Sequence, residues 1–250
     1  MKYNLCIPIP IKQAIIKEVK PIIDKVISLK PNLIELRLDY ISDIEALSIE
    51  FTRDLKNIIP PHVAVILTFR DSSEGGQIEI EQKERFKVLK MLIGAKPDYL
   101  DIEMRTDKNI LCELINLTSQ EGVKLIYSYH NFEKTLSYEE GIHLVQDFNE
   151  KLIRNLSLEP KILQDNIYKI IFTAQKFEDN LIPLKLCKQF SNSNKKIISF
   201  CMGTLGVFSR ITCAIVGSFF TYASFEEETA PGQINIKKMR EIYDLIQNNL

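Results

Sequence analysis

The chain has 250 residues, 45% hydrophobic and 26% charged, with 32 Lys+Arg against 33 Asp+Glu and a formal net charge of −1. These values fit a soluble globular protein and exclude wholesale disorder, collagen-like repeats and low-complexity architecture. The lack of a basic excess argues against nucleic acid as a partner, and no apolar run approaches the ~20 residues of a membrane span.

Five cysteines, Cys6, Cys112, Cys187, Cys201 and Cys213, are scattered with no C-x-x-C pair. That spread makes a poor disulfide framework and a poor zinc site, so they read as small buried hydrophobes in a reducing cytoplasm. The start, MKYNLCIPIPIKQ, has a short apolar patch broken by two prolines and lacks the apolar region of a signal peptide.

In chain order, β-rich runs fall at Asn4–Ile9, Leu33–Asp39, Ala64–Arg70, Tyr99–Met104, Lys124–His130, Tyr168–Thr173, Lys196–Cys201 and Ser218–Ser224. Helical spacing lies between them, as in Gln13–Leu29, Ile80–Ile93, Tyr138–Asn155 and Lys176–Ser191, and a last helix spans Asn235–Asn249. Eight β-then-α units in one chain of this length predict an α/β fold of the (β/α)8 barrel type. A doubly wound open sheet is the alternative on pattern alone. Pro60-Pro61 and Gly75-Gly76 read as turns, no linker divides the chain, and 1–250 is expected to be one catalytic domain. Residues 225–233 form the longest irregular stretch near a strand end, a candidate lid.

A barrel strand packed on both sides should be almost continuously apolar. Several here are not. The period of two puts Ile34, Leu36 and Leu38 on one face and Glu35, Arg37 and Asp39 on the other. Arg70 ends the third strand, Asp101 and Glu103 alternate with Ile102, His130 ends the fifth, and Lys169 stands beside Ile170, Ile171 and Phe172. Buried ionised groups are costly unless paired, so this repetition points to charges gathered at the C-terminal mouth, where barrel enzymes place their chemistry. A polar network that only satisfies itself is the other explanation.

Apolar surroundings and neighbouring cations make an amine nucleophilic, which singles out Lys169; a lysine on an exposed edge strand is the alternative. His130, at a strand end, suits acid–base work. His62, after Pro60-Pro61, reads as a surface residue, and His143 as a packed or exposed helix residue. Glu74, before Gly75-Gly76, can be held toward the mouth, and an ordinary charged turn fits this loop equally well when it is read alone. The segment Met202–Arg210 follows the seventh strand, where barrels often bind anions on backbone N–H groups. Glu226-Glu227-Glu228 reads as a solvated run.

The ordered set resembles the type I 3-dehydroquinate dehydratase family along nearly the whole chain. The matching pieces are Glu-Leu-Arg-Leu-Asp at 35–39, Thr-Phe-Arg at 68–70, Glu-Gly-Gly at 74–76, Asp-Ile-Glu at 101–103 and Ser-Tyr-His-Asn-Phe at 128–132. They continue with Lys169 in its strand, Met-Gly-x-x-Gly-x-x-Ser-Arg at 202–210 and Ala-Pro-Gly-Gln at 230–233. The resemblance implies a homodimeric barrel without metal or cofactor that dehydrates 3-dehydroquinate to 3-dehydroshikimate by syn elimination, in the shikimate pathway. It implies that Lys169 forms an imine with the substrate ketone, that His130 moves the protons and that Glu74 orients His130. Glu35, Arg37 and Arg70 are then expected on the substrate hydroxyls, Arg210 on its carboxylate, and Thr229 and Gln233 over it from the lid.

The chain departs from the family pattern at Asn131, often aspartate, at Thr229, often serine, and at Pro8, where some relatives offer a serine to the substrate. The bulk of Ile170-Ile171-Phe172 is expected to narrow the pocket. Two other classes compete. A lysine-imine aldolase would more often need a phosphate cradle where this late loop carries acidic residues. A non-catalytic binder of a cyclic hydroxy acid has no need of both Lys169 and His130.

Overall fold

The structure, a computed structural model, describes residues 3–155, 166–226 and 229–248. Its strands are β1 (Leu5–Pro10), β2 (Leu33–Arg37), β3 (Ala64–Thr68), β4 (Tyr99–Glu103), β5 (Lys124–His130), β6 (Ile167–Thr173), β7 (Lys196–Met202) and β8 (Thr221–Tyr222). The helices are α1 (Ile16–Ser28), α2 (Ile49–Asn57), α3 (Gln82–Gly94), α4 (Lys108–Glu121), α5 (Tyr138–Glu150), α6 (Leu181–Asn192), α7 (Val207–Val216) and α8 (Ile236–Asn248). Each helix follows the strand of the same number.

The strands pair in the order β7-β6-β5-β4-β3-β2-β1-β8, and every named pair is parallel. The ends of that row meet where Phe219 N–H donates to the Ile197 carbonyl at 2.7 Å. A (β/α)8 barrel therefore stands, and the open-sheet alternative does not.

β8 is shorter than the expected Ser218–Ser224. Its segment still holds β1, through Thr221 N–H to Asn4 O and Ala223 N–H to Cys6 O. α5 ends at Glu150 and passes into a wider π-type turn, Lys151–Asn155. The last helix is described to Asn248, one residue short of the expected Asn249, and Glu227 and Glu228 of the acidic run lie outside the described residues. Among the described residues no helix is long and apolar enough to cross a membrane.

Local chemistry sets the helix starts. Ser137 caps α5, accepting from Glu140 N–H while the Glu140 carboxylate accepts from Ser137 N–H. Asp107 accepts from Asn109 N–H at 2.8 Å to begin α4. Apolar side chains on the outer strand faces, including Ile34, Leu36, Leu100, Ile102 and Ile170, are buried under these helices. The inner faces carry Glu35, Thr68, Asp101, Ser128 and Lys169, all buried. Parallel register places Thr68 opposite Asp101 and Ser128 opposite Lys169, so these groups fall in neighbouring positions inside the barrel.

Candidate active site

A cavity opens at the C-terminal ends of the strands. Its lining includes Glu35, Arg37, Arg70, Glu74, His130, Lys169, Arg210, Thr229 and Gln233, so all nine sequence-derived site residues meet there. His62 and His143 are exposed elsewhere. The lining also includes Phe132, Ile171, Phe200, Met202 and Tyr222. Pro8 borders a different cavity, together with Ile22 and Phe225.

At the centre, Lys169 Nζ donates to Asp101 Oδ2 at 2.9 Å and lies 3.6 Å from Glu35 Oε1. It also sits 4.8 Å from the centroid of the Tyr222 ring. Neighbouring cations are expected to lower the proton affinity of this amine, with Glu35 among the opposing carboxylates; in the barrel its nearest charged partners are two carboxylates, Glu35 and Asp101, because the inner positions of β2 and β4 face that of β6. Glu35 Oε1 accepts from Thr68 Oγ1 at 2.7 Å.

Asp101 is completely buried and joins three groups. Oδ2 also meets Arg70 Nη2 at 2.8 Å, and Oδ1 accepts from Ser128 Oγ at 2.6 Å. Burial alone would raise its pKa, but the Arg70 and Lys169 cations hold it well below the usual carboxylate range. Arg70 is turned inward, donating through Nη1 to Glu103 Oε1 at 2.7 Å and to Ser128 Oγ at 2.6 Å. Arg37 is gripped by Asp39 through two bonds of 2.8 and 2.7 Å. Alternation put Asp39 beside Arg37 on one strand face. In fact β2 ends at Arg37, and Asp39 belongs to a 3-10 turn that brings its carboxylate back onto the guanidinium.

His130 closes β5. Its Nδ1 lies 3.0 Å from Glu74 Oε2, and its backbone N–H donates to the same oxygen at 2.9 Å. Burial, then the cations of Arg70 and Lys169, push His130 well below its ordinary 6.5, so the imidazole is neutral at neutral pH. Burial, with Glu103 adding to it, raises Glu74 from 4.5 to about 7 against the pull of Arg70 and Arg105. Arg105 Nε stands 3.1 Å from Glu74 Oε1 but without hydrogen-bond geometry. With Glu74 ionised, Nδ1 carries the proton and Nε2 keeps a free lone pair, the tautomer a general base requires.

The Glu-Gly-Gly turn is dictated by crowding. Gly75 has φ +84°, and a Cβ on Gly76 would lie 2.0 Å from the Arg70 carbonyl oxygen. Only this close return lets Glu74 reach back under His130.

Of the candidate lid, Thr229, Ala230, Pro231 and Gln233 line the cavity. Arg210, on α7, lies 4.4 Å from the Phe200 ring centroid and donates through Nη2 to Pro231 O at 3.0 Å. Gly203 N–H donates to that same carbonyl. This loop's N–H groups are expected to face an anion, whereas the Gly203 amide is bonded to Pro231. Thr229 N–H donates to Gln233 Oε1 at 2.9 Å, and Gln233 Nε2 to Thr229 Oγ1 at 3.1 Å.

Two charged residues beneath this surface escaped the sequence reading as site members. Asp101 stands among the strand charges expected at the mouth and in the Asp-Ile-Glu match, yet carries no assigned role there. Arg85 reads as an ordinary charge on a helix, yet is buried against Glu103.

The chain matches the family described as Type I 3-dehydroquinase over residues 5–250. It is 30% identical over 230 residues to a 3-dehydroquinate dehydratase of Thermococcus onnurineus, covering 92% of this chain and 94% of that one. It is 33% identical over 220 residues to one of Methanococcus maripaludis, covering 86% and 88%. Among solved structures, a type I 3-dehydroquinate dehydratase of Clostridium difficile, bearing covalently modified comenic acid, superimposes with a TM-score of 0.79 at 26% identity, covering 99% of this chain and 93% of that one. The matched span takes in every strand and every site residue named above, and this chain belongs to the type I 3-dehydroquinase family.

Proposed function

We propose that this chain, acting as one barrel domain, dehydrates 3-dehydroquinate to 3-dehydroshikimate through an imine on Lys169. The observation that carries the reading is Lys169 and His130 on adjacent strands, lining one cavity with Arg37, Arg70 and Arg210. Lys169 gives up a proton to solvent and adds as the neutral amine to the ketone carbon; the carbinolamine hydroxyl takes a proton and leaves as water, giving an iminium. The iminium is an electron sink that acidifies the neighbouring C–H, so neutral His130 suffices to take that proton. The electron pair flows to nitrogen, forming an enamine. The enamine expels the β-hydroxyl, to which His130 returns its proton, and water leaves. Hydrolysis of the conjugated iminium frees the product and the amine.

Glu74 orients His130. Arg210 takes the substrate carboxylate, for which a planar guanidinium offers a bidentate fit. Glu35, Arg37 and Arg70 face its hydroxyls, and Thr229 and Gln233 cover it. A cytoplasmic setting accords with the unpaired cysteines. A homodimer accords with Phe177, Leu181, Leu205 and Phe208, large exposed apolar side chains on the loops and helix starts after β6 and β7. Asn180 ties those two loops by donating to Leu205 O at 2.8 Å.

The test combines an assay with a trap. The protein with 3-dehydroquinate should raise the ultraviolet absorbance of a conjugated product, and borohydride should fix a covalent adduct on Lys169. Lys169→Ala should abolish the adduct and lower turnover by about three orders of magnitude or more. A folded wild-type protein giving neither absorbance nor adduct would overturn the reading.

A further inference from the structure

We propose that Arg85, on α3, is a positioning residue for this site: it ends an alternating row of buried charges that runs inward to Lys169. This inference rests on the dehydratase reading and extends it to a residue outside the cavity lining. The row is Arg85, Glu103, Arg70, Asp101, Lys169 and Glu35, cation and anion in turn. Each neighbouring pair is in contact or within 3.6 Å. None of the six is more than 8% exposed.

Arg85 Nη2 donates to Glu103 Oε2 and, at 3.0 Å, to the Phe69 carbonyl. Phe69 directly precedes Arg70, so one guanidinium fixes both the backbone that carries Arg70 and the carboxylate that Arg70 grips. Glu103 Oε1 accepts from Arg70 Nη1 and from Asp71 N–H at 3.1 Å. Glu103 is thus held between two arginines. Its orientation sets where Arg70 presents Nη2 to Asp101, and Asp101 in turn sets where Lys169 Nζ stands.

Charge completes the argument. With Arg85 present, the row is neutral. Without it, one buried negative charge has no counterpart, and Glu103 is the carboxylate left half-paired. The charged groups facing Glu74 are Arg70 after β3, Glu103 on β4, Arg105 after β4 and His130 on β5. A less neutralised Glu103 therefore makes Glu74 keep its proton to higher pH. Arg85 also borders a polar hollow with Asp71, Thr106 and Asp107, which leaves room for water around a shorter side chain.

The experiment compares wild type, Arg85→Gln and Arg85→Lys on 3-dehydroquinate from pH 5 to 9, after circular dichroism has shown all three folded. Arg85→Gln should lower kcat on the order of tenfold to a hundredfold with a smaller change in KM. Its acid limb in kcat/KM should move to higher pH. Arg85→Lys keeps the charge but not the fork, so it should return the limb to its wild-type position while leaving part of the kcat loss. An Arg85→Gln enzyme with wild-type kcat and acid limb would overturn the proposal, as would equal limb shifts in both variants. A wild-type protein inert toward 3-dehydroquinate would instead overturn the function on which this rests.

Discussion

Replacing Glu74 by Gln separates charge from shape beneath His130. Glu74 Oε2 accepts both the backbone N–H and Nδ1 of His130, and a glutamine carbonyl oxygen can accept the same two bonds. What the variant loses is the ionisable proton. Glu74 rises from 4.5 to about 7 in the folded chain, which corresponds to about 3 kcal/mol favouring its protonated form. A carboxyl whose pKa is raised on folding binds its proton more tightly in the native state. The resulting penalty is absent below pH 4.5, grows through the interval up to about 7 and is full above it.

Glu74→Gln should therefore be more stable than wild type at pH 8, by up to about 3 kcal/mol, and nearly equal to it at pH 4.5. Activity should change in the opposite sense. Below about 7, protonated Glu74 offers its proton to Nδ1 and pushes the imidazole toward the unproductive tautomer, so wild-type kcat/KM should fall on the acid side with an inflection there. Glu74→Gln should lack that inflection and, with no charge to stabilise the imidazolium, should be slower by about tenfold or more at pH 8. Urea denaturation across pH gives the first quantity and steady-state rates the second. An acid limb that persists near 7 in the variant, or a variant less stable than wild type by the same amount at both pH values, would refute the assignment of that titration to Glu74.

Two further outcomes follow from the same geometry. His130→Ala should still be trapped on Lys169 by borohydride while turnover falls about 10²- to 10⁴-fold, measured by mass spectrometry and product absorbance; unchanged turnover would remove His130 from proton transfer. Gly76→Ala must open the contact between its Cβ and the Arg70 carbonyl, so unfolding free energy should drop by about 2 kcal/mol or more, and a denaturant midpoint equal to wild type would show that the turn can relax.

Much of this protein can be read from its residues in order. Alternating apolar and helical periods determined eight β–α units, because a strand repeats every two residues and a helix every 3.6 wherever its neighbours are. Glu35, Asp101 and Lys169 stood out for the same reason, as charges at strand positions where burial is costly. Which charge meets which is another matter. Asp101 holds Lys169 across 68 positions of sequence, Glu74 reaches His130 across 56, and Arg85 looks like any exposed helix residue until α3 packs over Glu103. Periodicity is local and survives in any fold of the right class. Ion pairing inside a barrel depends on strand register and loop return, so which carboxylates stand beside the amine, Asp101 at 2.9 Å and Glu35 at 3.6 Å, was decided only when the chain closed on itself.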